Sequence, residues 1–363
     1  MRWNGIHVNA LAACLGRELS TAQAVADGRY DRKEYEASGF LGVRVCDRGP
    51  AVDLAVGAGE LALARAGIPA AEFGLVVHSS IAHQGLDDFA SAAYVQSRTV
   101  RGRATALEIR QASNGGLAAL ELAAAYLAVR PAPAAALLTT SDRFVPPGFD
   151  RFRTASGLLL GDGGTALVLS RTGGVARLLS SVLVGDTTYQ GMQIGDEPWS
   201  EVPGANGWPV DTQARVDAYL ATLGPEVFPE VVESISGAEN DTMKRAIDEA
   251  GLLARDIAWW VFPNMGALTD WYALEELGVD ESRTTWDWGR HAGHLGAGDQ
   301  FAGLAHLLET GRVGPGDRVL LNGAGTGFAF GSAVVEVTAA PDWPASADEP
   351  APSVHIGHER SDP

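Results

Sequence analysis

Three side chains, Ser113, His294 and Asp299, are of the types that form a nucleophile, its base and the group that orients the base. Ser113 lies in Gln111-Ala112-Ser113-Asn114-Gly115-Gly116, between a strand-like run and an apolar helical run. The amides and dipole of that helix N-terminus favour negative charge at or near its oxygen. Serine also serves widely as an N-cap, and the turn taken alone fits that use better. His294 and Asp299 stand five residues apart in a glycine-rich turn that opens a helix. The carboxylate is placed to fold back onto one imidazole nitrogen and leave the other free as a base. A helix-capping aspartate beside a surface histidine, His294 or His291, gives the same spacing. The turn Gly323-Ala324-Gly325-Thr326-Gly327 presents bare backbone, so amides near Gly325 and Gly327 would join that of Ser113 as oxyanion donors. A plain turn between two strands accounts for the same glycines. It is no dinucleotide fingerprint, because no Gly-x-Gly-x-x-Gly here opens a helix after a strand with an acidic residue about twenty positions on.

The elements that must carry these residues alternate between strand and helix patterns, which predicts an α/β layered fold. A strand over 104–110 leads into the Ser113 turn, followed by a helix over 117–129, a strand over 134–140, the turn Gly161-Asp162-Gly163-Gly164 and a strand over 165–170. The second half repeats the series: the His294 turn, a helix over 299–310, a strand over 318–322, the glycine turn 323–327 and a strand over 331–337. The helix after Ser113 is apolar almost all round and so belongs inside the protein. The Gly-, Pro- and acid-rich stretch Tyr189 to Trp208 breaks the rhythm and reads as a long loop over one face. These features divide the chain into halves at 1–171 and 172–340, with 341–363 as a disordered tail.

Composition narrows the function. A formal charge of −18 repels nucleic acid and anionic lipid, and no apolar run has membrane-spanning length. With no signal-like N-terminus, a cytoplasmic protein is expected. The two cysteines, Cys14 and Cys46, have no second thiol or histidine at metal-ligand spacing, so they read as buried apolar residues and no metal site is expected.

From about Gly5 to Val337 the chain resembles the ketoacyl synthase III branch of the thiolase superfamily. Six motifs carry the resemblance in order: Phe40-Leu41-Gly42-Val43-Arg44-Val45, Gln111 to Gly116, Leu160 to Gly164, Val261-Phe262-Pro263-Asn264, Gly293-His294 and Gly314-Pro315-Gly316-Asp317. The resemblance implies a thiolase fold, five-layered αβαβα from two pseudo-duplicated halves, and a homodimer.

Enzymes of that branch use Cys-His-Asn, the last two stabilising an enolate. Here Ser113 stands for the cysteine, Asn264 for the histidine and His294 for the asparagine. Losing enolate donors costs roughly a hundred- to a thousand-fold in rate, which disfavours decarboxylative condensation. The pattern is similar to ketosynthase-III-like acyltransferases and starter-unit proteins of antibiotic pathways, which carry Cys-His-Asp or Ser-His-Asp. That similarity implies a Ser113 acyl-enzyme with His294 as base and Asp299 as its orienter, and Asn264, Gly325 and Gly327 as oxyanion or active-site support. The donor would be acyl-CoA or the phosphopantetheine of an acyl carrier protein, as co-substrate with no bound cofactor. The acceptor would be a hydroxyl or amine of a specialised metabolite. A starter-unit ketosynthase using malonyl carrier protein and a catalytically silent partner subunit are the alternatives, and a cysteine exchanged for serine by design would leave the same sequence. Arg98, Arg101 and Arg103, or Arg143, Arg151 and Arg153, are the arginines available for an acidic carrier or nucleotide phosphates.

Overall fold

The computed structural model describes residues 1–130, 134–266 and 271–343, without the side chains of 271–273. Eleven strands are found among them: β1 (His7–Leu15), β2 (Arg17–Ser20), β3 (Gly42–Val45), β4 (Phe73–Ser79), β5 (Thr105–Ile109), β6 (Ala135–Asp142), β7 (Gly163–Ser170), β8 (Ala176–Gly185), β9 (Trp259–Val261), β10 (Arg318–Gly325) and β11 (Ala329–Val337). β2 and β3 form a separate antiparallel pair. The other nine make one sheet in the order β5-β4-β6-β7-β1-β8-β11-β10-β9.

The sheet is two repeats joined at a narrow seam. In the first, β5, β4 and β6 run parallel, and β7 and β1 follow antiparallel. In the second, β9 and β10 run parallel, and β11 and β8 follow antiparallel. Within the strands the seam is paired by His7↔Arg177 and Val8↔Ala176, and the isolated bridge Arg2↔Ser180 lies beside them. Where the second repeat lacks a counterpart of β5, Trp260 makes a parallel bridge to Thr284.

Apart from the exposed edge strand β5, both faces of each half-sheet are covered, which is why those strands read as continuous apolar runs rather than alternating ones. On β6, Ala135 and Leu137 face one way, toward the helices Ala51–Ala66 and Ser91–Arg98. Ala136 and Leu138 face the other way, into a core shared with the helices Gly115–Ala128 and Asp299–Glu309. These two helices lie between the half-sheets, and Phe228–Ala250 covers the outer face of the second. The result is the five-layered αβαβα arrangement. Leu122 is an exception to the expected all-round burial of the Ser113 helix, at 54% exposure.

Some local expectations shift. Gly163 and Gly164 lie inside β7, because Gly164 packs directly on the backbone of Leu54, where a Cβ would come within 2.4 Å. Gly323 to Gly325 belong to β10, so the turn itself begins at Thr326. The stretch 189–208 carries no strand and only the short 3₁₀ turn Gln190–Gln193, and it leads into the helix Thr212–Leu223. Most of the expected tail, 344–363, lies outside the described residues.

Candidate active site

Ser113 follows β5 in a single 3₁₀ turn, Ala112–Asn114, before the long buried helix begins. Ala112 has φ of 46°, a left-handed conformation uncommon for a residue with a Cβ and one that clusters at functional sites. The sharp turn is held by bare backbone around it. A Cβ on Gly115 would lie 1.9 Å from the Ser79 hydroxyl, and one on Gly116 would lie 2.6 Å from the Ala297 carbonyl. A Cβ on Gly325 would lie 2.4 Å from the Gln111 carbonyl. The glycines therefore let the serine turn press against β4, the end of β10 and the turn that carries His294.

That approach brings together residues 181 positions apart. The Ser113 hydroxyl lies 2.7 Å from His294 Nε2, and His294 Nδ1 lies 2.5 Å from Asp299 Oδ2. With Nδ1–H donating to the carboxylate, Nε2 is left to accept from the serine. His294 and Asp299 are 2% and 1% exposed, while Ser113, at 8%, faces a cavity. Asp299 also accepts from the Leu295 amide at 2.7 Å and from two donors of Asn264. Burial acts to lower the pKa of His294, but the charge and hydrogen bond of Asp299 and the charge of Asp142 outweigh it, and the net direction is upward.

Asn264 does not face the cavity. Its side-chain nitrogen donates to the Gly293 carbonyl at 3.0 Å and to Asp299 Oδ1 at 3.2 Å, so it supports the orienting carboxylate and not an oxyanion. Gly325 serves close packing against the serine turn. Gly327, with φ of 134°, stands between Thr326 and Phe328, both of which line the cavity.

The cavity holds about 600 Å³ and is lined mostly by apolar side chains, among them Phe144, Leu158, Met192, Val216, Ile235 and Phe328. Phe144 and Phe149 meet edge to face, with centroids 5.1 Å apart. Met192 comes from the 189–208 stretch, and Val216 and Ile235 from the helices Thr212–Leu223 and Phe228–Ala250 that follow it. No motif marks these lining residues, since each is an ordinary core residue by type. Trp199 and Trp208 do not line it.

The two arginine groups separate. Arg151 makes a two-nitrogen pair with buried Asp162, and Arg143 donates to the Cys46 carbonyl, so both hold the chain together. Arg98, Arg101 and Arg103 join Arg130 around an open basin of about 940 Å³. It lies at the N-terminal ends of β4 and β5, the opposite end of β5 from Ser113. Among the described residues, no helix is long and apolar enough to cross a membrane, and no group of His, Cys, Asp or Glu is arranged to hold a metal ion. Cys14 and Cys46 are buried.

Residues 107–187 match the family described as 3-oxoacyl-[acyl-carrier-protein] synthase III, and residues 247–337 match its C-terminal part. The β-ketoacyl-[acyl-carrier-protein] synthase III of Rhodospirillum rubrum is 30% identical over 295 residues, covering 78% of this chain and 84% of that protein. Among solved structures, ChlB3, described as an acyltransferase, is 33% identical, with a TM-score of 0.87 and coverage of 93% of this chain and 99% of that one. The priming β-ketosynthase of a polyketide biosynthetic pathway has a TM-score of 0.74 at 21% identity, covering 94% and 98%, and shares the fold.

Proposed function

From its membership of the β-ketoacyl-[acyl-carrier-protein] synthase III family of thiolase-fold enzymes, to which this chain belongs, we propose an acyltransferase that passes an acyl group through Ser113. One observation carries the reading: the unbroken hydrogen-bonded line from Ser113 through His294 to Asp299, buried behind an apolar cavity.

The chemistry runs in two balanced halves. His294 Nε2 takes the Ser113 hydroxyl proton as the serine oxygen bonds to the carbonyl carbon of a thioester. The C–S bond then breaks, and the proton on Nε2 passes to the departing thiol. In the second half, His294 takes a proton from an acceptor hydroxyl or amine, which attacks the serine ester, and the proton returns to Ser113 as its C–O bond breaks. Asp299 fixes the tautomer and stabilises each transient imidazolium. The amides of Ser113 and Gly327 are assigned to the oxyanion. An oxyester is a poorer acyl donor than a thioester, so transfer back to a thiol is uphill and an oxygen or nitrogen acceptor is favoured.

The relative named for acyl carrier protein supports a carrier as donor, and acyl-CoA offers the same thioester. The same name favours a second reading, condensation with malonyl carrier protein. Against it stands Asn264, whose side chain is spent on Asp299 and Gly293 and supplies no donor to an enolate in the cavity. The intact hydrogen-bonded line also argues against a silent partner subunit. Self-association fits β5, an edge strand carrying Leu107 at 48% exposure. Product analysis separates the two reactions: with an acyl donor, malonyl carrier protein and a nucleophilic acceptor present together, acyl ester or amide without carbon dioxide release supports transfer. A β-ketoacyl product supports condensation.

A further inference from the structure

Asp142, the last residue of β6, is fully buried and takes no part in the hydrogen-bonded line of Ser113. Its Oδ1 accepts the amides of Ile81 and Ala82, each at 2.7 Å, and its Oδ2 accepts the amide of Ala297 at 3.2 Å. The donors come from two separate places. Ile81 belongs to the loop after β4 and lines the cavity. Ala297 lies in the turn between His294 and Asp299. Gly296 has φ of 66°, and a Cβ there would lie 2.1 Å from Asp142 Oδ2, so the turn is shaped around the carboxylate.

Three N–H groups converging on one side chain call for an acceptor on every side, which a carboxylate provides and an amide does not. We propose that Asp142 is a positioning residue, a second carboxylate that ties the His294–Asp299 turn to the cavity wall and stabilises the imidazolium formed when Ser113 gives up its proton.

The electrostatics agree. The charge of Asp142 is among the causes that raise His294. Burial pushes Asp142 itself up to about 7, against the three amides and the charge of His294. Protonation of His294 thus favours the charged form of Asp142, and a charged Asp142 favours protonated His294. On neighbouring β4, His78 is held by burial down to about 4 and is neutral near pH 7. Just before β7, Asp162 is paired with Arg151.

The consequence for rate rests on the acyltransferase reading, but the effect on His294 does not, so the experiment reads the imidazole directly. The His294 ring is titrated by NMR in the wild type and in Asp142→Asn, alongside the pH profile of serine acylation by an acyl-CoA. His294 is expected to titrate lower in the variant, with the acid limb of acylation moving the same way. An unchanged His294 titration overturns the proposal, whether or not any donor acylates the wild type. Should Asp142→Asn fail to fold, Gly296→Ala decides, since its Cβ displaces Oδ2. A fall in the His294 titration supports the proposal, and no change overturns it.

Discussion

Asn264 holds both oxygens of Asp299: its backbone amide donates to Oδ2 at 2.9 Å and its side-chain amide to Oδ1 at 3.2 Å. Both nitrogens of Asn264 thus brace one buried carboxylate. That relationship is what supports the proposed acyl transfer over condensation.

Truncating the brace should weaken acylation without removing the nucleophile. Asn264→Ala deletes one donor to the buried Asp299 carboxylate, a loss worth about 1–3 kcal/mol. Expressed in the transition state, that is roughly a ten- to hundred-fold slower acylation of Ser113, read by stopped-time mass spectrometry. An unchanged rate would mean that the backbone amides alone orient Asp299.

Acidification should switch the enzyme off. His294 must be neutral at Nε2 to accept the serine proton, and its pKa is raised above the ordinary histidine value by Asp299 and Asp142, against burial. Activity should therefore be lost as pH falls through that raised value, and the acid limb of kcat/KM should lie above the usual histidine range near 6.5. A profile flat down to pH 5 would remove His294 from the role of base.

Gly116→Ala probes the contact that seats the nucleophile. The new Cβ would come 2.6 Å from the Ala297 carbonyl, and backbone must shift to admit it. Because small misplacements are costly in rate, acylation should fall by about a hundred-fold while the far-UV circular dichroism stays native. Retained activity would show that the two turns separate freely.

Much of this site was legible in the sequence because motif residues carried it. Ser113, His294 and Asp299 stood out by type and by their glycine-rich turns, and the repeat of turn, helix and strand foretold the layered sheet. What stayed hidden depends on direction. Asn264 was placed near the site, but nothing in Pro263-Asn264 tells that its side chain turns to Asp299. Gly323 and Gly325 read as a turn yet extend β10, because a bare strand surface is needed beneath Gln111 and Asn114. Asp142 ends the run Thr139-Thr140-Ser141 as an ordinary polar strand terminus. Its only signal is a carboxylate after a strand whose residues are otherwise buried. The cavity wall from Met192, Val216 and Ile235 arises from contacts between distant segments, which no local pattern records.

The absence of enolate donors on Asn264 has its own consequence. Incubated with malonyl carrier protein, the enzyme should release carbon dioxide no faster than the uncatalysed background, measured with carboxyl-labelled substrate. Rapid release would restore the condensing reading.

The measurement closest to the central claim is intact-protein mass spectrometry of wild type and Ser113→Ala after exposure to a panel of acyl-CoAs and acyl carrier proteins. A gain of one acyl mass is expected on the wild type, absent from the alanine variant and discharged by a hydroxyl or amine acceptor. An acyl mass that persists in Ser113→Ala, or none on the wild type with any donor, would contradict that claim.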